Sequence, residues 1–328
     1  MVGDEFKSHF RLTSTTFEGL LTKLHATKDT SGHVEQGGTP KMPLEKEMLI
    51  TIWYLVNIES FRSVANRFGI SKSTCWDVLC RTCKLVLAMN NKYKILSWPN
   101  RQRSVQIIEA FKRKGMPGVI GAIDGCHMRI IAPVKHHVSY INRKGYHSVL
   151  LQAVCDNRLL FTDVYAGQPG SLHDYAVFCK SDLFRRIETH DITFWDNSHI
   201  IGDLAYALHD YLLVGFKNTG YLTLQQKNFN VILNKSRVTI ENSFALLKGR
   251  FRRLKFIETQ KLDLISLLIV TSCILHNVCI LYNDTLENVF NEFAVENDEY
   301  NERDVIPNQE AVGKRNNIVN SLPVVING

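Results

Sequence analysis

Apolar residues recur every three or four positions through residues 6–24 (Phe10, Leu12, Phe17, Leu20, Leu21, Leu24), 44–57 and 72–89, the pattern of helices with one buried face. Thr15 or Thr16 offers an N-cap for the first helix. Turn-forming residues fill 26–42, which reads as a surface connection. A short helix over 61–67, the turn Phe68-Gly69-Ile70 and the capping Ser71 lead into the helix at 72. Short helix, glycine turn and capped longer helix make a helix-turn-helix pattern. It leaves Lys72, Ser73 and Thr74 at the helix N-terminus, where such motifs meet DNA phosphates; a purely structural helical hairpin has the same pattern.

After Pro99-Asn100-Arg101 the periodicity changes. A helix over 105–114 precedes an unbroken apolar run, residues 118–130, that reads as a buried strand. Two further strands follow at 147–155 and 159–166, separated by the tight turn Asp156-Asn157-Arg158, so three strands form a meander. A helix is expected over 172–179 and a short fourth strand at 199–203. A loop-rich stretch to Phe229 follows, then a long helix over 237–255 capped by Ser236 or Asn234. Its apolar stripe is Ile240, Phe244, Leu247 and Phe251, with Glu241 at the edge of the stripe and Arg237 one turn earlier.

One charge interrupts the first strand. Asp124 sits between Ile123 and Gly125, and a buried carboxylate is tolerated only when paired, hydrogen-bonded or metal-bound. It either caps a turn through Gly125 or holds a cation. Asp203 repeats the theme, ending the fourth strand as Gly202-Asp203.

Charge is distributed unevenly. The whole chain carries +7; residues 283–312 hold nine acids against Arg303, a net −8, and Lys314 with Arg315 adds +2, which leaves +13 on residues 1–282. That balance suits a polyanion such as nucleic acid and equally a merely soluble basic surface. Lys248, Arg250, Arg252, Arg253 and Lys255 concentrate at one helix end as candidate phosphate contacts. The acidic, asparagine-rich residues 283–328 are expected to be a disordered tail.

Eight scattered cysteines do not make a disulfide scaffold, and a reducing compartment is expected. Cys80 and Cys83 have zinc-ligand spacing without a second pair, and Cys273, His276 and Cys279 fall three apart on an apolar helix; both sets read as core. The uncharged run 264–283 is long enough to span a bilayer, but its polar Ser266, Thr271, Ser272, His276 and Asn277 favour a helix buried in the core. No membrane association is expected.

Six motifs in order resemble the PIF/Harbinger transposases of the DDE superfamily and the nucleases derived from them: Ala122-Ile-Asp124-Gly-Cys-His127, Asn142-Arg-Lys-Gly-Tyr-His147-Ser, Ala166-Gly-Gln-Pro-Gly-Ser171-Leu-His173-Asp174, Gly202-Asp203-Leu-Ala-Tyr206, Arg237-Val-Thr-Ile-Glu241 continuing to Lys248-Gly-Arg-Phe251, and Leu275-His276-Asn277. The chain departs from that pattern after Asp203, where Leu204-Ala205-Tyr206-Ala207 replaces the usual Gly-Tyr-Pro wording, and at Ala245, where glycine is usual.

The resemblance implies an α/β fold: a ribonuclease-H-like DDE catalytic domain over 116–282 in which strands one and four are neighbours, preceded by an all-α helix-turn-helix module (1–90) and a helical connection (91–115). It implies Asp124, Asp203 and Glu241 as catalytic carboxylates, with Asp174 as a further metal-site residue. Two Mg²⁺ or Mn²⁺ ions would be held there for phosphodiester hydrolysis, with strand transfer by the released 3′-hydroxyl as an extension. His127, His173 and Lys248 read as local packing or as groups orienting phosphate. DNA is the implied partner, together with a separate Myb-like DNA-binding protein, and a homo-oligomer stays open. The nucleus is the expected location, with the cytoplasm as a further one. The rival reading is a domesticated, catalytically silent DNA-binding or scaffold protein; every carboxylate of the pattern is present.

Overall fold

The computed structural model describes residues 3–29, 42–218, 220–286 and 308–323. Most of the expected connection at 26–42, and the acidic residues 287–307, lie outside these described residues.

Two helices replace the single one expected at the start: α1 (Gly3–Phe10) and α2 (Ser14–Asp29). Arg11 adopts a positive φ of 55°, which ends the first helix, and the Thr13 hydroxyl, not Thr15 or Thr16, accepts the Thr16 N–H at the start of the second. Then come α3 (Leu44–Val56), α4 (Phe61–Phe68) and α5 (Lys72–Tyr93). Gly69 ends α4 in the left-handed region at φ 64°, where a side chain would be strained, and the Ser71 hydroxyl caps α5 by accepting the Thr74 N–H. Asn100 caps α6 (Arg101–Arg113).

Five strands follow among the described residues: β1 (Val119–Arg129), β2 (Ser148–Cys155), β3 (Phe161–Pro169), β4 (His199–Ile201) and the two-residue β5 (Leu212–Leu213). Short helices α7 (Asp174–Cys179) and α8 (Asp182–Glu188) lie between β3 and β4. The sheet order is β3-β2-β1-β4-β5, antiparallel through the meander and parallel from β1 to β4 to β5. Strands one and four are therefore neighbours, as the resemblance implies. At the meander turn, the Asp156 carboxylate accepts the Arg158 and Leu160 N–H groups and pairs with Arg103 at 2.8 Å.

The long helix begins earlier than its apolar stripe suggests. α9 runs Leu224–Arg250, opened by a capping box in which Thr223 and Gln226 exchange side chain-to-backbone bonds. A stronger cap upstream overrides Asn234 and Ser236, and Ser236 turns its hydroxyl to the Ile232 carbonyl instead. A 3₁₀ turn, Arg252–Lys255, leads to α10 (Leu262–Leu281). By length and composition α10 could cross a membrane, yet most of it is buried inside the protein. Its polar residues explain why: Asn277 bonds the Phe161 N–H and carbonyl and the Ile95 carbonyl, and His276 donates to the Leu159 carbonyl at 2.9 Å, so α10 holds the β2–β3 turn in place. Cys83, Cys273 and Cys279 are buried thiols.

Two expected boundaries dissolve. The helices of 1–90 and the sheet share one continuous hydrophobic core, so the amino-terminal helices are packed into the sheet-bearing part of the chain. The tail reading fails at both described ends. Asp284 is buried, accepting the Thr13 N–H at 2.6 Å and facing Arg250. Gln309–Ser321 forms a capped helix, α11, whose Ala311 and Val319 are buried. Lys314 donates to the Ser198 and Asp210 carbonyls, and Arg315 to the Val214 and Gly215 carbonyls, so α11 straps the β4–β5 edge. Its basic and apolar face, hidden in sequence by the acidic neighbours, gives it something to bury.

Candidate active site

β1 carries Asp124 in its middle, not at a turn: the strand continues to Arg129. The turn-cap reading is thereby overturned, although the carboxylate does accept its neighbour's Gly125 N–H at 2.8 Å. Register then places the second carboxylate. Ala122 pairs with Ile201 across the parallel β1–β4 ladder, so Asp124 and Asp203 each follow a paired position by two residues and leave adjacent strands at the same level. Asp203 is fixed by its own turn, its Oδ1 accepting the Ala205 N–H at 2.9 Å. Both residues are buried.

Asp174 arrives from the start of α7. A Cβ at Gly125 would lie 2.0 Å from its Oδ1, so only glycine lets the Asp174 carboxylate rest against the β1 backbone. Glu241 approaches from α9, which crosses β1, and is half-buried. Between strand and helix sits the Arg237 guanidinium, 3.1 Å from Asp124 Oδ2 and 3.8 Å from Glu241 Oε1.

The electrostatics follow. Burial pushes the Asp124 carboxyl well above the usual carboxylate range, Arg237 pulls it back, and the like charges of Asp203 and Asp174 push it further up. Three aspartates thus lie close enough to feel one another's charge. Among the described residues no group of three His, Cys, Asp or Glu side chains is already drawn around one point. The donor chemistry nonetheless fits a hard divalent cation: carboxylate oxygens, buried, mutually repelling, with Asp174 seated against Gly125.

Beside the carboxylates a small cleft is lined by Gly125, His127, Arg143, Ser171, His173 and Asp174. Arg143 lies within the Asn142–Ser148 motif but is not marked by it as a site residue. The Asn142 carboxamide folds that loop by accepting the Lys144 and Tyr146 N–H groups, which presents Arg143 to the cleft. An asparagine, two basic residues and a glycine in a turn were the available signal. His127 is held by Ser148 at 3.0 Å.

The basic helix end divides. Lys248 donates to the His127 carbonyl at 3.0 Å, tying α9 to β1, and Arg252 is half-buried. Arg250 and Arg253 are buried and are not available to DNA, which corrects their reading as phosphate contacts. Arg250 bonds the Arg11 carbonyl and Asp284; Arg253 bonds the Tyr54, Asn57 and Glu59 carbonyls and lies over the Tyr54 ring. Both arginines saturate backbone carbonyls of the amino-terminal part. Lys72 and Ser73 are exposed at the start of α5, with Thr74 half-buried; they stand on an element that carries none of the four carboxylates.

Residues 123–277, which contain Asp124, Asp174, Asp203 and Glu241, match the DDE superfamily endonuclease model. The chain is 28% identical over 239 residues to HARBI1 of Rattus norvegicus and 27% identical to HARBI1 of Homo sapiens, proteins that carry the name of a nuclease. These alignments cover 71% of this chain and 66% of each relative. An ALP1-like protein of Arabidopsis thaliana is 26% identical over 298 residues, covering 85% of this chain and 71% of the relative. No solved structure matches. Strand order, carboxylate placement and these likenesses agree: residues 123–277 are similar to a DDE superfamily endonuclease domain, and the chain is similar to the HARBI1 proteins.

Proposed function

We propose that this protein is a divalent-metal-dependent DNA endonuclease of ribonuclease-H-like fold that hydrolyses phosphodiester bonds. One observation supports the reading: Asp124 and Asp203 stand at one level on adjacent parallel strands, the Asp174 carboxylate rests against the β1 backbone at Gly125, and Glu241 faces the guanidinium that also pairs with Asp124. Repulsion among buried carboxylates has no structural use, and it is what a cation site needs.

Asp124, Asp203 and Glu241 would hold Mg²⁺ or Mn²⁺, with Asp174 in support, and the bound ions would supply Lewis acidity at the scissile phosphate. Arg143 and His173, which line the cleft beside Asp174, would fix the phosphodiester by charge and hydrogen bonds. Lys248 holds β1 through the His127 carbonyl and so positions Asp124's strand. Lys72, Ser73 and Thr74 would add phosphate contacts at the α5 N-terminus. Cleavage leaves a 3′-hydroxyl, which in a complete transposition reaction attacks a second DNA. A Myb-like partner protein, recruitment to the nucleus and self-association belong to this reading as further expectations.

The silent-scaffold alternative is favoured by one feature, the Arg237 guanidinium lying between Asp124 and Glu241. A plasmid-nicking assay separates the two. With Mg²⁺ or Mn²⁺ the wild type nicks DNA, and Asp124→Asn, Asp203→Asn and Glu241→Gln each lower the rate about a hundredfold or more while keeping DNA binding. Equal nicking by all four proteins removes the assignment. DNA binding with no nicking by any moves the conclusion to the scaffold.

A further inference from the structure

Arg237 lies against two of the candidate metal-binding carboxylates, and it does so from inside the protein. Its side chain is 12% exposed; one guanidinium nitrogen meets Asp124 from β1 and the other faces Glu241 one helical turn away. An ordinary surface pair at this helical spacing would join Arg237 to Glu241 alone. Here the fork instead joins α9 to the central strand, across the space where Asp174 and Asp203 also raise the negative potential on Asp124.

Resting on the endonuclease reading, we infer that Arg237 is a built-in competitor for the divalent cation. It neutralises the carboxylates while the metal is away and must release Asp124 and Glu241 when the metal binds. The physical argument is substitution of charge. A tethered guanidinium is always present at high effective concentration, so it keeps the buried carboxylates from repelling one another and the strands in register. A divalent ion delivers twice the charge to the same oxygens, so it can win, but its apparent affinity is reduced by the work of displacing the arginine. The device would make the site respond to cation concentration, and would leave a freed guanidinium beside it only when metal is bound. Arg237 acts on the metal through Asp124 and Glu241; it is a positioning residue.

The test is Mn²⁺ titration of the full chain, followed by electron paramagnetic resonance of free Mn²⁺ and by the melting temperature with and without Mn²⁺, for the wild type, Arg237→Gln and Arg237→Lys. If Arg237 competes, Arg237→Gln binds Mn²⁺ about tenfold more tightly than the wild type and gains more melting temperature from it, while melting lower without metal. Arg237→Lys keeps the charge but cannot fork between two carboxylates, and falls between them. Should Arg237→Gln fold only with Mn²⁺ present, the inference stands in its strongest form. If Arg237 merely props up the carboxylates, its removal weakens Mn²⁺ binding or leaves it unchanged, and either result overturns the inference while leaving the endonuclease reading intact. If none of the three proteins binds Mn²⁺, both fall together.

Discussion

The two halves of α9 use the same side chain for opposite ends. Towards its middle, Arg237 faces carboxylates that have another prospective partner, a divalent cation, and the pairing joins a helix to a strand at a half-open site. At its carboxyl end Arg250 and the adjoining Arg253 face backbone carbonyls, Arg250 also the buried Asp284, and they fasten the amino-terminal helices to the sheet. An arginine becomes structural when it satisfies groups that cannot find a substitute, and stays exchangeable when it satisfies groups that can.

The largest effect should come from the structural end. Arg253→Ala leaves the Tyr54, Asn57 and Glu59 carbonyls unsatisfied and opens a void under the Tyr54 ring, and should lower unfolding stability by about 3 kcal/mol or more. Urea unfolding measures it; a loss no greater than that of Arg237→Gln in metal-free buffer would break the contrast between the two halves.

An intermediate effect concerns His276, which is buried near the same end, with its pKa pulled down to about 4 by burial, partly restored by the bond to Leu159 and lowered further by Arg250. The unfolded chain takes up this proton near 6.5 and the folded chain only near 4, so the histidine's contribution is full above the first value and is lost as pH falls between them. His276→Gln, which can still donate to the Leu159 carbonyl, should flatten the acid side of the stability curve, narrowing the loss between pH 7 and pH 5 by about 2 kcal/mol. Parallel curves for the two proteins would show that Arg250's end is not a buried, charge-intolerant region.

The smallest stability effect belongs to the cleft. Arg143→Ala should leave unfolding within about 0.5 kcal/mol of wild type and reduce the salt dependence of DNA affinity by about one unit of slope. Fluorescence anisotropy over a salt series reads it. An unchanged slope would move the phosphate contacts away from Arg143.

Much of this was written locally and could be read as such. Periodicity delivered α3 to α5 and the three-strand meander, because a helix or strand with one buried face announces its period. The carboxylates stood out since Asp124 and Asp203 interrupt apolar runs, where a charge is costly unless used. Missed elements were those whose reason lies elsewhere in the chain. α9 begins at Leu224 because of a capping box in a stretch too polar to look helical. β5 has two residues and exists only as an addition to β4. α11 is a helix because the β4–β5 edge offers it carbonyls and an apolar seat.

Sequence alone carried the candidate carboxylates, Asp124, Asp174, Asp203 and Glu241 in motif order, and the strand-rich frame that buries Asp124 and Asp203. Tertiary structure decided which cations those carboxylates meet. Arg237, Arg250, Arg252 and Arg253 share one helix and its end, and nothing in their spacing says that the first lies across Asp124, that the third is half-buried, or that the other two are spent on backbone carbonyls. The reason is physical: a residue's charge is local, but its partner is set by which surfaces the sheet order and helix crossings bring together, and partners more than a hundred residues apart leave no mark on spacing.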